Sequence, residues 1–280
     1  MEYGFALGGG GAKSFAQLGA IKAFAECGVL PSYFSGSSMG AVNAVLLSAG
    51  YSVREIICFY KKKKRFGLFR LGFFKVDNRP LAKACLELCS LKGYRNLEDL
   101  PIKVYIPTTL PDSGLRIILR KGRIDNVIAA STSSYLIRKY LVNDIAIKKQ
   151  IIEQTEGVIG HGRVLYLKDS CYSSNVPFEL LKLIRKENPS FDQKNYFDIA
   201  FDVIPSFKKT YFVGLDSFNL KILANDHNRF LFFSEENKGL YLKLDFGISQ
   251  TEFTKKAINR GVGGGYKYVM KIIEERKMKK

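Results

Sequence analysis

Twice within the first fifty residues the chain repeats one unit: a short apolar run, a glycine-bearing loop, then a helical pattern. Residues 3–7 run into Gly8-Gly9-Gly10-Gly11. Phe15, Leu18, Ile21, Lys22 and Ala25 then recur at helical spacing, and Gly28 fits the position just beyond a helix end. A second run at Tyr33-Phe34-Ser35 enters Gly36-Ser37-Ser38-Met39-Gly40, and the small apolar stretch 41–49 stops at Gly50. Strand–loop–helix repeated in this way predicts an α/β fold of three layers, α/β/α, with a mostly parallel central sheet. Further strands are expected at 102–106, 117–120, 162–167, 210–215 and 229–233. A second glycine cluster, 261–265, is expected to interrupt the helical stretch that begins near Glu252. With no tandem sequence repeat along the whole chain and no Pro/Ser-rich linker, residues 1–280 are expected as one domain with a motif-bearing core at 1–180; 145–159 and 189–205 read as excursions from it.

Composition narrows the classes. No run reaches the roughly 18 apolar residues of a membrane span. The N-terminus lacks the basic region and apolar core of a signal peptide, so a cytoplasmic protein is expected, with any membrane contact peripheral. The five cysteines form an odd set that reads as reduced, mostly buried thiols, with Cys85 and Cys89 on one helix face. Two histidines, His161 and His227, make a zinc site a poor fit, and no cofactor is expected. The net charge is +18, and most of it sits in two segments. Residues 61–83 carry nine Lys/Arg against one Asp, and residues 255–280 nine against two Glu. Charge concentrated in this way attracts phosphates of nucleic acid or of anionic lipid. Taken alone, a solvated basic face is the simpler reading.

Gly36-x-Ser38-x-Gly40 fits the nucleophile elbow, in which a sharp strand-to-helix turn lifts a serine above the sheet and aims the next helix's N-terminus at it. The glycine loop has three readings. A phosphate-binding P-loop lacks glycine at positions 7 and 12, and a dinucleotide fingerprint misses its last glycine in either register. Bare backbone amides of Gly9, Gly10 and Gly11 beside the serine suit an oxyanion hole, which ranks first. A serine nucleophile needs a base. Neither histidine lies in a recognisable triad segment, whereas Asp169 follows the apolar run 162–167 and would reach the carboxyl edge of the sheet, the edge that carries Ser38. A carboxylate can take the proton itself if burial lifts its pKa.

Together these residues resemble the patatin-like phospholipases. That family carries a G-G-G-x-[KR]-G oxyanion loop, a G-x-S-x-G elbow about 25 residues later, and a D-G-[GA] segment bearing the second member of a Ser-Asp dyad. The first is similar to Gly9-Gly10-Gly11-Ala12-Lys13-Ser14, the second to Gly36-Ser37-Ser38-Met39-Gly40, and the third to Asp169-Ser170-Cys171 followed by Asn175-Val176-Pro177. Ala129-Ala130-Ser131-Thr132-Ser133-Ser134 resembles the Ala-Ser segment that lines the family's site. Ser14 and Ser170-Cys171 stand where the family has small residues, mostly glycine, that permit positive φ. The resemblance implies a lipid acyl hydrolase acting on phospholipid or another acyl ester through a Ser38 acyl-enzyme, with no metal. The alternative is a catalytically silent lipid- or partner-binding module; a nucleotide-binding protein ranks third.

Lys61, Lys62, Lys63, Lys64 and Arg65 lead into Phe66 and Phe69, with Phe73 and Phe74 beyond. Basic residues beside phenylalanines suit a membrane interface or single-stranded nucleic acid, and equally a basic surface loop entering a core helix. The inferred ester hydrolase site favours contact with an anionic lipid surface, and no nucleic-acid partner is expected.

Overall fold

A computed structural model describes residues 1–71, 76–134, 137–156, 164–173, 175–204, 221–226, 229–234 and 238–277. Its centre is a run of five parallel strands: β12 (Gly239–Leu244), β9 (Tyr196–Asp202), β1 (Glu2–Leu7), β2 (Tyr33–Gly36) and β5 (Lys103–Thr109), in that spatial order. Antiparallel strands extend both edges. On one side lie β11 (Arg229–Ser234) and β10 (Lys221–Asp226); on the other, β6 (Arg116–Leu119), β8 (Tyr166–Asp169) and β7 (Tyr140–Leu141). A two-residue pair, β3 (Arg70–Leu71) with β4 (Val76–Asp77), stands apart.

The two-residue period of the central strands sorts their side chains onto two faces. Phe5, Leu7, Phe34, Val104, Ile106, Ile199, Phe201 and Leu242 enter the larger core. Ala6, Tyr33, Tyr105, Ala200 and Tyr241 enter a smaller one on the opposite face. The larger core is covered by α1 (Phe15–Glu26), α2 (Met39–Ser48), α3 (Val53–Leu68), α4 (Arg79–Leu91), α5 (Ile124–Ser131) and α8 (Lys255–Lys277). Cys85 and Cys89 lie buried on α4, but Cys27 and Cys58 are exposed and Cys171 half-buried, so the cysteines are free thiols without being mostly buried. α6 (Ile145–Gln154) packs on β6. The opposite face is covered by α7 (Glu179–Glu187). That helix is pinned by Arg185, buried at 4%, whose Nη1 meets Asp198 at 2.6 Å and the Tyr33 hydroxyl at 2.6 Å. No helix among the described residues is long and apolar enough to cross a membrane.

Several sequence expectations are corrected. The glycine cluster 261–265 does not interrupt the last helix; α8 runs unbroken through it. A Cβ on Gly265 would overlap the Ala16 carbonyl, and one on Gly19 the Val262 carbonyl, so the glycines let α1 and α8 touch backbone to backbone. Residues 189–205 are no excursion, because β9 within them lies hydrogen-bonded beside β1. Residues 145–159 include α6, and the strand expected at 210–215 falls outside the described residues. β8 begins at Tyr166 and runs antiparallel to β5, pairing Asp169 with Thr108. Asp169 thus comes to the carboxyl edge along a strand running against its neighbour, not with it.

Candidate active site

β1 ends at Leu7, and Gly8, Gly9 and Gly10 cross the top of the sheet before a 3-10 turn, Gly11–Ser14, leads into α1. β2 ends at Gly36, and two residues later Ser38 stands at the N-cap of α2 with φ 53° and ψ −125°. Left-handed backbone at a non-glycine residue costs of order 1–3 kcal/mol and persists only when the surroundings impose it. Here they do. A Cβ on Gly40 would overlap the carbonyl oxygens of Leu7 and Gly8, so the first turn of α2 seats directly on the end of β1. A Cβ on Gly36 would lie 2.8 Å from Ala41 Cα. The Ser38 N–H donates to Ser131 Oγ at 3.0 Å, from the end of α5. Ser38 itself is half-buried while its immediate neighbours are buried.

Asp169 is buried, at 1% exposure. Its N–H donates to the Ser133 carbonyl at 3.1 Å, and its carboxylate caps the 3-10 turn Ser170–Tyr172 by accepting from Cys171 N–H at 2.9 Å. The Ser38 hydroxyl lies near enough to the same carboxylate to favour its charged form. Burial lifts the Asp169 pKa from its ordinary 3.8 to about 6, against the opposing pull of the Ser38 hydroxyl and the Cys171 N–H. Burial and the adjacent Asp169 carboxylate push the Cys171 thiol up.

The residues that depart from the expected pattern need no left-handed backbone, although the Ser14 hydroxyl is buried without a hydrogen-bond partner among the described residues. The described non-glycine residues with positive φ are Ser38, Glu156 and Lys238, so neither Ser14, Ser170 nor Cys171 needs it. Ser170 is buried and its hydroxyl shares a 2.7 Å hydrogen bond with that of Ser37, next to Ser38. The added hydroxyl is satisfied where the family pattern would place none.

The glycine loop lies against Ser38: a Cβ on Gly9 would sit 2.9 Å from Ser38 Cβ. The three glycines are not equivalent. Gly9 N–H donates to the Asn175 carbonyl at 3.1 Å, so that amide is engaged in holding the loop. For the N–H groups of Gly10 and Gly11 no acceptor is recorded among the described residues. Beneath the loop, Gln17 Nε2 donates to the Gly8 carbonyl at 2.7 Å, Asn43 Nδ2 to Gln17 Oε1 at 3.2 Å, and the Tyr60 hydroxyl to Asn43 Oδ1 at 2.9 Å. This support was missed in the sequence. Its signal was present: Gln17 and Asn43 are amides set among apolar neighbours on their helices, and buried polar groups of that kind answer to a partner.

The site thus joins an elbow serine, a buried carboxylate and a glycine loop at one lip of a parallel sheet. Residues 5–181 match the model of the patatin-like phospholipase family. The chain belongs to that family. Among solved structures it is similar to human GIVD cytosolic phospholipase A2, at 10% identity and a TM-score of 0.55, over 97% of this chain and 61% of that one. It is also similar to VipD from Legionella pneumophila, at 12% identity and a TM-score of 0.52, over 98% of this chain and 67% of that one. At such identities the likeness shows the fold. Among curated proteins, lysophospholipase nte1 of Aspergillus terreus is 38% identical over 63 residues, 22% of this chain and 4% of that protein. The patatin-like match stops at 181, so β9, β12 and α8 lie beyond it.

The basic segment forms the second half of α3. Lys62 and Lys63 are exposed and Lys61 half-buried. The helical backbone continues through Lys64, Arg65 and Phe66, whose side chains fall outside the described set, as do Phe73, Phe74, His161 and His227. Phe69, expected at a membrane interface, instead packs its ring on Phe253 at 5.4 Å between centroids and adjoins the larger core.

Proposed function

We propose that this patatin-like chain is a serine-dependent lipid acyl hydrolase, with phospholipids or related fatty-acyl esters as substrates and no metal in the reaction. The observation that carries the reading is Ser38, held at φ 53° beside the buried Asp169 carboxylate, which burial pushes up to about 6. At neutral pH Asp169 is ionised yet basic enough to accept the Ser38 proton as Oγ attacks the acyl carbon. The oxyanion so formed meets the amides of Gly10 and Gly11, while Gly9 supplies close backbone approach. Collapse breaks the ester C–O bond, and the proton on Asp169 passes to the leaving alcohol. Water then gives a proton to Asp169, adds to the acyl-enzyme and releases the fatty acid, restoring Ser38.

A fluorophosphonate tests this directly, because only an activated serine displaces fluoride from phosphorus. Stoichiometric labelling of Ser38, read as a mass shift on its peptide, is the expected result. A folded chain that stays unlabelled would reject the hydrolase in favour of the silent binding module.

The exposed lysines of α3 supply the proposed contact with anionic lipid, worth about 1 kcal/mol for each Lys near the surface. In flotation assays the protein is expected to rise with phosphatidylserine-containing vesicles, to stay behind with neutral ones, and to lose the difference in high salt. Equal recovery on both kinds of vesicle would remove this contact.

A further inference from the structure

The loop that faces Ser38 from β1 is backed on its other side by chain that lies outside the patatin-like match. Lys13 Nζ forms an ion pair with Asp245 Oδ1 at 3.2 Å, with side-chain exposures of 12% and 8%. Ala12 N–H donates to the Gln250 carbonyl at 2.8 Å. Gly11, at φ 57°, runs so close to Gln250 that a Cβ would overlap its carbonyl, and a Cβ on Gly10 would lie 2.5 Å from Val203 Cγ2. Each of the residues 10 to 13 therefore meets residue 203 or the segment 245–250. That segment joins β12 to α8, and its own start is fixed by Gly247 N–H donating to Asp245 Oδ1 at 3.1 Å.

An ion pair this sheltered differs from an exposed one. Its partners are part-buried and have given up much of their water, so removing one leaves a poorly solvated charge uncompensated. It thus fixes the separation between β12 and the 3-10 turn that follows Gly10. The N–H groups of Gly10 and Gly11 sit at the start of that turn.

We infer that Asp245 is a positioning residue for the acyl transfer proposed above, holding the glycine loop through Lys13 so that its free amides stay aimed at the oxyanion. The inference rests on that reading of the site. Oxyanion contacts tighten in the transition state, so slack in the loop lowers kcat more than it raises KM. An ångström of misplacement at a reacting centre costs up to about 100-fold.

The test compares Asp245→Ala, Asp245→Asn and Asp245→Glu with wild type, measuring steady-state hydrolysis of a p-nitrophenyl acyl ester and amide hydrogen exchange of the peptide spanning residues 8–14. Asp245→Asn preserves size and serves where the alanine variant does not fold. Expected are a fall in kcat of about 10- to 100-fold with KM within about twofold, faster exchange in the loop peptide, and partial recovery of both in Asp245→Glu. A kcat within about twofold of wild type in the folded Ala and Asn variants overturns the inference. So does a kcat loss with loop exchange unchanged, or a loss explained entirely by a smaller folded fraction. A wild-type chain that neither hydrolyses esters nor labels at Ser38 fails the enzyme reading and removes the catalytic part of the inference. Unchanged exchange in the variants then removes the structural part separately.

Discussion

Replacing Ser38 with Ala, or Asp169 with Asn, is expected to reduce ester hydrolysis by at least about 1,000-fold in protein that remains folded. In the proposed mechanism each change removes one member of a pair that acts as a unit. Without the Ser38 hydroxyl there is no atom to carry the acyl group. With Asn at 169 the serine keeps a hydrogen-bond acceptor but loses its proton acceptor, and the water of the second half-reaction loses its base. The double variant is expected to be no worse than the poorer single variant, because neither group does useful work alone. Initial rates against an acyl ester, paired with circular dichroism of each variant, decide the matter. Full activity in either purified variant would remove that residue from the mechanism.

The same Asp169→Asn change is expected to stabilise the fold at neutral pH. In the folded chain burial holds the Asp169 proton up to about 6, whereas its ordinary value is 3.8. Between those values the folded state binds more protons than the unfolded one, so stability falls as pH rises across that window. Above it the full cost of the buried charge is present, about 3 kcal/mol for a displacement of this size. Asn carries no charge to bury, so its advantage over wild type should be near zero below about pH 4 and about 3 kcal/mol at pH 7.5. Asp198, also lifted to about 6 by burial, contributes in the same direction, so the variant must be compared with wild type at each pH. Urea melts across the range provide the numbers. An advantage that does not vary with pH would mean that position 169 does not titrate as a buried acid. Hydrolysis by wild type should rise through the same window, because ionising Asp169 creates the base.

What could be read from the chain was what is local. β1, the glycine loop and α1, then β2, the elbow and α2, each declare themselves within about a dozen residues through periodicity and turn chemistry. Ser38 and Asp169 could be proposed because each is tied to a strand end, and the structure brings their side chains together. Pairings between distant stretches were not legible. Nothing near residues 196–202 announces that this segment pairs with β1, since the register Glu2↔Tyr196 to Leu7↔Phe201 links stretches far apart along the chain. The direction of β8 was hidden for the same reason: an apolar run followed by an acid looks alike in a parallel and an antiparallel strand. The glycines of α8 were misread because glycine weakens a helix by about 1 kcal/mol in isolation. The gain from close packing on α1 depends on a partner more than 200 residues away. Likewise, the glycine loop shows its bare amides in sequence, but not that Asn175 occupies the one at Gly9.

The missing side chains between α1 and α8 reach further than packing. Where two main chains rest on each other there is no flexible layer to absorb a disturbance, so a methyl group added at position 265 would displace a whole helix. α8 begins a few residues after Gln250, and α1 begins where the 3-10 turn ends. Both arms that grip the loop are therefore anchored in the same rigid joint. A bulky residue halfway along the last helix would prise those arms apart, and Ser38 would register a change made well away from any atom it touches.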